Sequence, residues 1–115
     1  MSSECLFCKI AAGDIPATEV YRDEKVVAFR DISPQAPQHI LLISQEHIPT
    51  TLELDPRHNE LVGHIFQVAA QLARELGFAE AGFRVVNNCN ADAGQTVWHL
   101  HFHLLGGREL GWPPG

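Results

Sequence analysis

Within Val97-Trp98-His99-Leu100-His101-Phe102-His103-Leu104-Leu105 the chain alternates apolar and imidazole side chains without a break from Trp98 to Leu104. In an extended strand successive side chains point to opposite faces. Trp98, Leu100, Phe102 and Leu104 then share one face, and His99, His101 and His103 the other. The apolar face needs a core, most simply one under a helix. The imidazole face is poor core filler, because each ring has two nitrogens to satisfy. A single histidine there would be ordinary solvated surface. Three in strict alternation point to chemistry.

The rest of the chain supplies partners for that strand. Residues 5–12 suit a short helix closed by Gly13, with Pro16 forbidding its continuation. Residues 19–22 and 25–30 read as strands around an Asp23-Glu24 turn, a hairpin. Asp31-Ile32-Ser33-Pro34-Gln35-Ala36-Pro37 breaks regular structure, since each proline fixes its own φ and extends its predecessor. His39-Ile40-Leu41-Leu42-Ile43-Ser44 is branched and apolar, as a buried strand would be. A long helix follows, with Asp55 as N-cap, Pro56 in the first position and Gly77 as the stop. Its stripe is Leu61, Ile65, Val68, Ala69, Leu72 and Leu76, at three- and four-residue steps. Residues 82–88 return to strand, 88–95 form a Gly/Asn/Asp-rich loop, and the histidine strand occupies 96–105. Strands around one long helix predict an α+β fold with a mostly antiparallel sheet, residues 1–115 forming a single domain.

Composition narrows the function classes. The chain has 115 residues, 45% hydrophobic and 19% charged, enough apolar material for a core and too much for disorder. Fourteen acidic against eight basic residues give a net charge of -6, which argues against non-specific binding to nucleic acid or anionic membrane. No apolar run reaches the roughly 20 residues of a membrane span. Met1-Ser2-Ser3-Glu4 does not start a signal peptide, so a cytoplasmic location is expected. Three cysteines make no even disulfide framework, and Cys5-Leu6-Phe7-Cys8 suggests metal or redox chemistry in a reducing compartment.

The histidines themselves favour phosphorus chemistry over a single metal. His99 and His103 would lie ~13 Å apart along a strand, too far to share one ion with His101 at a metal–nitrogen distance near 2 Å without severe strain. A row of imidazoles does suit a polyanionic substrate. With an ordinary pKa of about 6.5, a neutral ring can attack phosphorus while N–H-bearing neighbours contact its oxygens.

The run His99-Leu100-His101-Phe102-His103-Leu104-Leu105 matches the histidine-triad motif. Asp31 to Pro37, Gly94-Gln95-Thr96, Gly106-Gly107-Arg108 and Trp112-Pro113-Pro114-Gly115 further resemble the histidine-triad nucleotide-binding branch, in order and over nearly the whole chain. The resemblance implies a homodimer whose sheet continues across the interface. It also implies hydrolysis of purine nucleoside 5'-phosphoramidates through a covalent nucleotidyl-histidine, with no cofactor required for catalysis. On that analogy His101 is the nucleophile and His103 contacts the phosphate, while the His99 backbone and the His39 side chain orient His101. Asp31 would bind ribose hydroxyls and Ile32 the base; Asn87, Gly94, Gln95 and Thr96 would hold phosphate and leaving group. Trp112 would reach the neighbouring subunit's site or pack at the interface. Asp31 and Asn87 are equally good turn formers. A dinucleoside polyphosphate hydrolase or nucleotidyl transferase, and a non-catalytic nucleotide- or zinc-dependent binding module, remain alternative functions.

Cys5 and Cys8 are half of a tetrahedral zinc site, and His47 and His99 are the candidates to complete it. Some histidine-triad proteins bind structural zinc with such a set, and others lack the cysteines. The competing account is two thiols packed as small apolar groups. Cys89 has no assigned role, and His58 and His64 read as solvated or packed residues of the long helix.

Overall fold

A computed structural model describes residues 4–115; Met1 to Ser3, part of the N-terminus read above, lie outside the described residues. The elements are α1 (Leu6–Ala12), β1 (Glu19–Arg22), β2 (Val26–Arg30), β3 (Gln38–Ser44), α2 (Asn59–Glu75), β4 (Phe83–Val86) and β5 (His101–Gly106). The strands form one five-stranded sheet in the order β1-β2-β3-β5-β4, every neighbouring pair antiparallel. The architecture is α+β, as the pattern of elements predicts.

Register decides which face each side chain meets. Ile43 pairs with His101 and Leu41 with His103, so these four point to the same side of the sheet. Ile40, Leu42, Phe102 and Leu104 point to the other, where Ile65, Val68, Ala69 and Leu72 of α2 close the larger core. On the histidine side α1 lays Phe7, Ile10 and Ala11 over Val27, Phe29, Leu41 and Ile43. That helix covers part of its face and leaves His101 and His103 at the edge of the covered area.

Two sequence expectations are corrected. The last strand begins at His101, not Thr96; residues 97–99 are bends, and the Leu100 N–H donates to the Ile48 carbonyl at 2.6 Å. Trp98 therefore leaves the apolar face and is 47% exposed, while Leu100, Phe102 and Leu104 stay in the core. The long helix also starts late. Asp55 does cap, accepting from the Arg57 N–H, but residues 56–58 form a 3-10 turn before α2 begins at Asn59. The reason is local: the Asp55 N–H donates back to His58 Nδ1 at 3.0 Å, tightening the first turn.

The hairpin turn is a polar knot. Asp23 accepts from the Lys25 and Val26 N–H groups at 2.8 Å and from the Tyr21 hydroxyl at 2.6 Å. His64 Nε2, from α2, lies 2.5 Å from the same carboxylate. His64 thus ties helix to hairpin. At the end of β5, a Cβ on Gly106 would sit 2.2 Å from Phe78 Cδ1, so close packing demands glycine there. Beyond Gly107 the tail has no regular structure; Arg84 of β4 holds it by donating to the Gly111 carbonyl at 2.9 Å. No helix of the described residues is long and apolar enough to cross a membrane.

Candidate active site and metal centre

Beside α1 the sheet opens into a cleft of about 440 Å³. Phe7, Ile10, Phe29 and Leu41 make its wall apolar, and Asp31, His101 and His103 make one end polar. Ile32, Thr96 and Val97 also line it. The Phe7 ring meets His101 edge-on, with centroids 5.0 Å apart. Phe7 was missed from sequence as a site residue; its only signal was its place three residues before Ile10 on the buried side of α1.

Hydrogen bonds fix which nitrogen of each ring is free. His101 Nδ1–H donates to the His99 carbonyl at 2.7 Å, which leaves the Nε2 lone pair for other use. The Gln35 N–H donates to His39 Nδ1 at 2.9 Å, so the His39 proton sits on Nε2. That Nε2–H donates to His103 Nδ1 at 2.9 Å and faces the Asp31 carboxylate at 3.4 Å. His103 accordingly keeps its proton on Nε2. One ring thus offers a lone pair, and its neighbour offers a donor.

Electrostatics keep the rings neutral. Burial lowers the pKa of His101, opposed by its hydrogen bond to the His99 carbonyl and by the Asp31 charge. His103 is pushed down to about 4, first by burial and then by the neighbouring His101 and His39. Burial also lowers His39, with Asp31 acting the other way. Asp31, His39 and His103 bring three ligand-type atoms together. The Gln35 N–H makes this a proton-ordered cluster in place of a metal site, because the inward nitrogen of His39 holds hydrogen.

A second cluster sits at the start of α1. Cys8 Sγ lies 3.2 Å from His47 Nδ1 and 3.3 Å from His99 Nδ1, and Cys5 Sγ is 3.3 Å from His99 Nδ1. The two imidazole nitrogens are themselves 3.3 Å apart. Tetrahedral zinc, at about 2.3 Å from sulfur and 2.0–2.1 Å from nitrogen, spaces its ligand atoms roughly 3.3–3.8 Å apart. These four distances match that cage to within a few tenths of an ångström, and all four donor atoms lie within 4.8 Å of one another. His99 Nε2–H donates to the Ser44 carbonyl at 2.6 Å, which turns the Nδ1 lone pair into the cluster. The sulfurs face imidazole nitrogens, so the account of packed apolar thiols fails. All four sequence candidates come together.

The phosphate-loop residues divide differently. Asn87 donates to the His101 carbonyl at 2.9 Å and accepts from the Thr51 hydroxyl, so both ends of its amide are committed within the chain. Buried Gln95 donates to the Pro49 and Val97 carbonyls and accepts from the Asn90 N–H. Gly94 closes a 3-10 turn with φ +84°. Thr96 is exposed on the cleft. Ile32 is fully exposed, and Trp112, 82% exposed under the Arg84 guanidinium, is not among the residues lining the cleft of its own chain. Backbone partners at Gln35, Ser44 and His99 carry much of the site's order, and a sequence has no signal for them.

Residues 12–110 match the HIT domain family. The chain belongs to that family. This HIT-domain protein is 49% identical over 111 residues to the purine nucleoside phosphoramidase of Escherichia coli (strain K12), covering 96% of this chain and 93% of the relative. It is 47% identical over 115 residues to the 14 kDa zinc-binding protein of Zea mays, covering 98% and 89%. Among solved structures it superimposes on a HIT family hydrolase from Legionella pneumophila Philadelphia 1 with a TM-score of 0.95. That pair is 51% identical, with 96% and 99% of the two chains covered.

Proposed function

We propose that this HIT-domain protein is a nucleotide hydrolase that cleaves the P–N bond of purine nucleoside 5'-phosphoramidates. One observation carries the reading: His101 lines the cleft with Nδ1–H fastened to a backbone carbonyl, which makes Nε2 a nucleophile. The Nε2 lone pair attacks the α-phosphorus. The amine leaves with the P–N electron pair and takes up a proton from solvent water at the open mouth beside Thr96. Charge on the nucleotidyl-imidazolium is stabilised by the His99 carbonyl on Nδ1–H. His103 Nε2–H steadies a phosphate oxygen throughout. Water then adds to phosphorus and gives its proton to solvent, His101 departs as neutral imidazole, and the nucleoside monophosphate is released.

The apolar wall suits a purine, with Ile32 over the base and Asp31 at the rim within reach of ribose hydroxyls. The backbone at Gly94 and the Thr96 hydroxyl serve the phosphate and leaving group. Asn87 and Gln95 act by shape, the first on the His101 carbonyl and the second on the loop. Zinc held by Cys5, Cys8, His47 and His99 would be a structural tie that locks His99 in place. The E. coli relative's name and the Zea mays relative's name support these two readings respectively. The free edge of β4 supports a dimer with a continuous sheet, in which Trp112 of one subunit approaches the other's cleft.

The test is incubation with an adenosine phosphoramidate, rapid acid-free quenching and peptide mass spectrometry. An adenylyl mass on the His101 peptide, absent from His101→Ala, is expected. Normal turnover by His101→Ala would remove the nucleophile from this scheme.

A further inference from the structure

Arg108 takes no part in the scheme above, yet it reaches back across the fold to the segment that carries His39. Its Nε–H and Nη2–H both donate to the Gln35 carbonyl, at 3.2 and 3.0 Å. Gln35 is the residue whose N–H sits on His39 Nδ1. The segment itself offers few backbone donors to hold it. Pro34 and Pro37 offer no N–H, and the Ser33 N–H is used locally on Asp31. Among the described residues Arg108 is the hydrogen-bond donor to the Gln35 carbonyl. The turn that delivers it is fixed as well: Gly107 has φ +90° and packs against Pro37, where a Cβ would meet the proline at 2.9 Å.

We propose that Arg108 is a positioning residue for the triad: by pinning Gln35 it keeps the Gln35 N–H on His39 Nδ1, and thereby the tautomer in which His103 presents Nε2–H to phosphate. The last step rests on the phosphoramidase reading. The chemistry is a chain of single choices. With Nδ1 occupied as an acceptor, His39 must carry its proton on Nε2 and donate to His103 Nδ1. If Gln35 swings away, His39 Nδ1 can hold the proton and the bond between the two rings can reverse. His103 would then donate through Nδ1 and turn a bare Nε2 lone pair toward an anionic oxygen, a repulsive contact.

Arg108→Gln and Arg108→Lys test this, with Arg84→Gln as a control that releases the tail at Gly111 without touching Gln35. Long-range proton–nitrogen NMR on histidine-labelled protein, without substrate, reports the tautomers of His39 and His103. Arg108→Gln should move both rings toward a tautomer mixture and lower kcat on an adenosine phosphoramidate about tenfold, with KM within about twofold. Arg108→Lys, which keeps a cationic donor without the paired N–H geometry, should fall between. Wild-type nitrogen shifts in Arg108→Gln, or equal scrambling in Arg84→Gln, would overturn the assignment. A wild-type protein that fails to turn over phosphoramidate sinks the proposed function instead, and the nitrogen shifts still decide the role of Arg108.

Discussion

Acid should destabilise the fold through the His39–His103 pair, and the size of the effect can be worked from the site. His103 titrates near 4 in the folded chain, held neutral by burial and by His101 and His39, against about 6.5 when unfolded. Between those values the unfolded chain binds the proton and the folded chain does not, so stability falls as pH falls. The contribution is intact above about 6.5 and is lost progressively down to about 4. From pH ~7 to ~5 the loss for such a group is ~1.8 kcal/mol. The ring is only partly buried, and solvent screening reduces the expectation to about 1 kcal/mol. Urea unfolding of wild type and His103→Asn, at fixed protein and zinc concentrations, isolates the pair from other titrating groups. Wild type should lose about 1 kcal/mol more than the variant between the two pH values. Equal losses would refute the claim that this pair is held neutral by its surroundings.

Three further outcomes follow from single contacts. Purified wild type should carry about one zinc per chain by elemental analysis, and Cys8→Ser only a small fraction of that, because it removes one ligand of the four. Gly106→Ala should cost about 1–3 kcal/mol in urea unfolding, since the Phe78 ring must move to admit a methyl group; an unchanged midpoint would mean that the ring has room. Asp23→Ala leaves two backbone N–H groups, Tyr21 and His64 without their acceptor, and should lower stability by about 2–3 kcal/mol. Calorimetry at neutral pH measures it directly.

The sheet was legible because its strands carry strong alternation or long branched runs between turn formers. Residues 19–22 and 26–30 fell where the hairpin pattern put them, and His39 to Ser44 is buried on both faces as its composition requires. The zinc-type ligand set was legible through residue chemistry alone, since Cys5, Cys8, His47 and His99 are spread over 95 positions and meet at one point. What misled was treating the histidine run as one uniform strand. Pairing with β3 ends at Ile43–His101, and among the described residues no strand pairs with residues 96–100. Local alternation cannot announce where a neighbour stops. Nor could it show that Asn87 and Gln95 satisfy backbone groups of the site's own loop.

The break before His101 is what lets His99 serve two clusters. Had the strand continued, its ring would have lain beside those of His101 and His103 on the open face. Bent away, it is fully buried with its ring among Cys5, Cys8 and His47, while its carbonyl remains on His101 Nδ1. Side chain and main chain of one residue therefore join the candidate metal centre to the candidate nucleophile. Loosening the cage by Cys8→Ser should disturb His101 through that carbonyl, although no ligand atom touches the cleft's phosphate end. Replacing His101 should leave the cage intact. This asymmetry distinguishes a structural tie from a catalytic metal, whose loss and whose nucleophile's loss would be equivalent in effect.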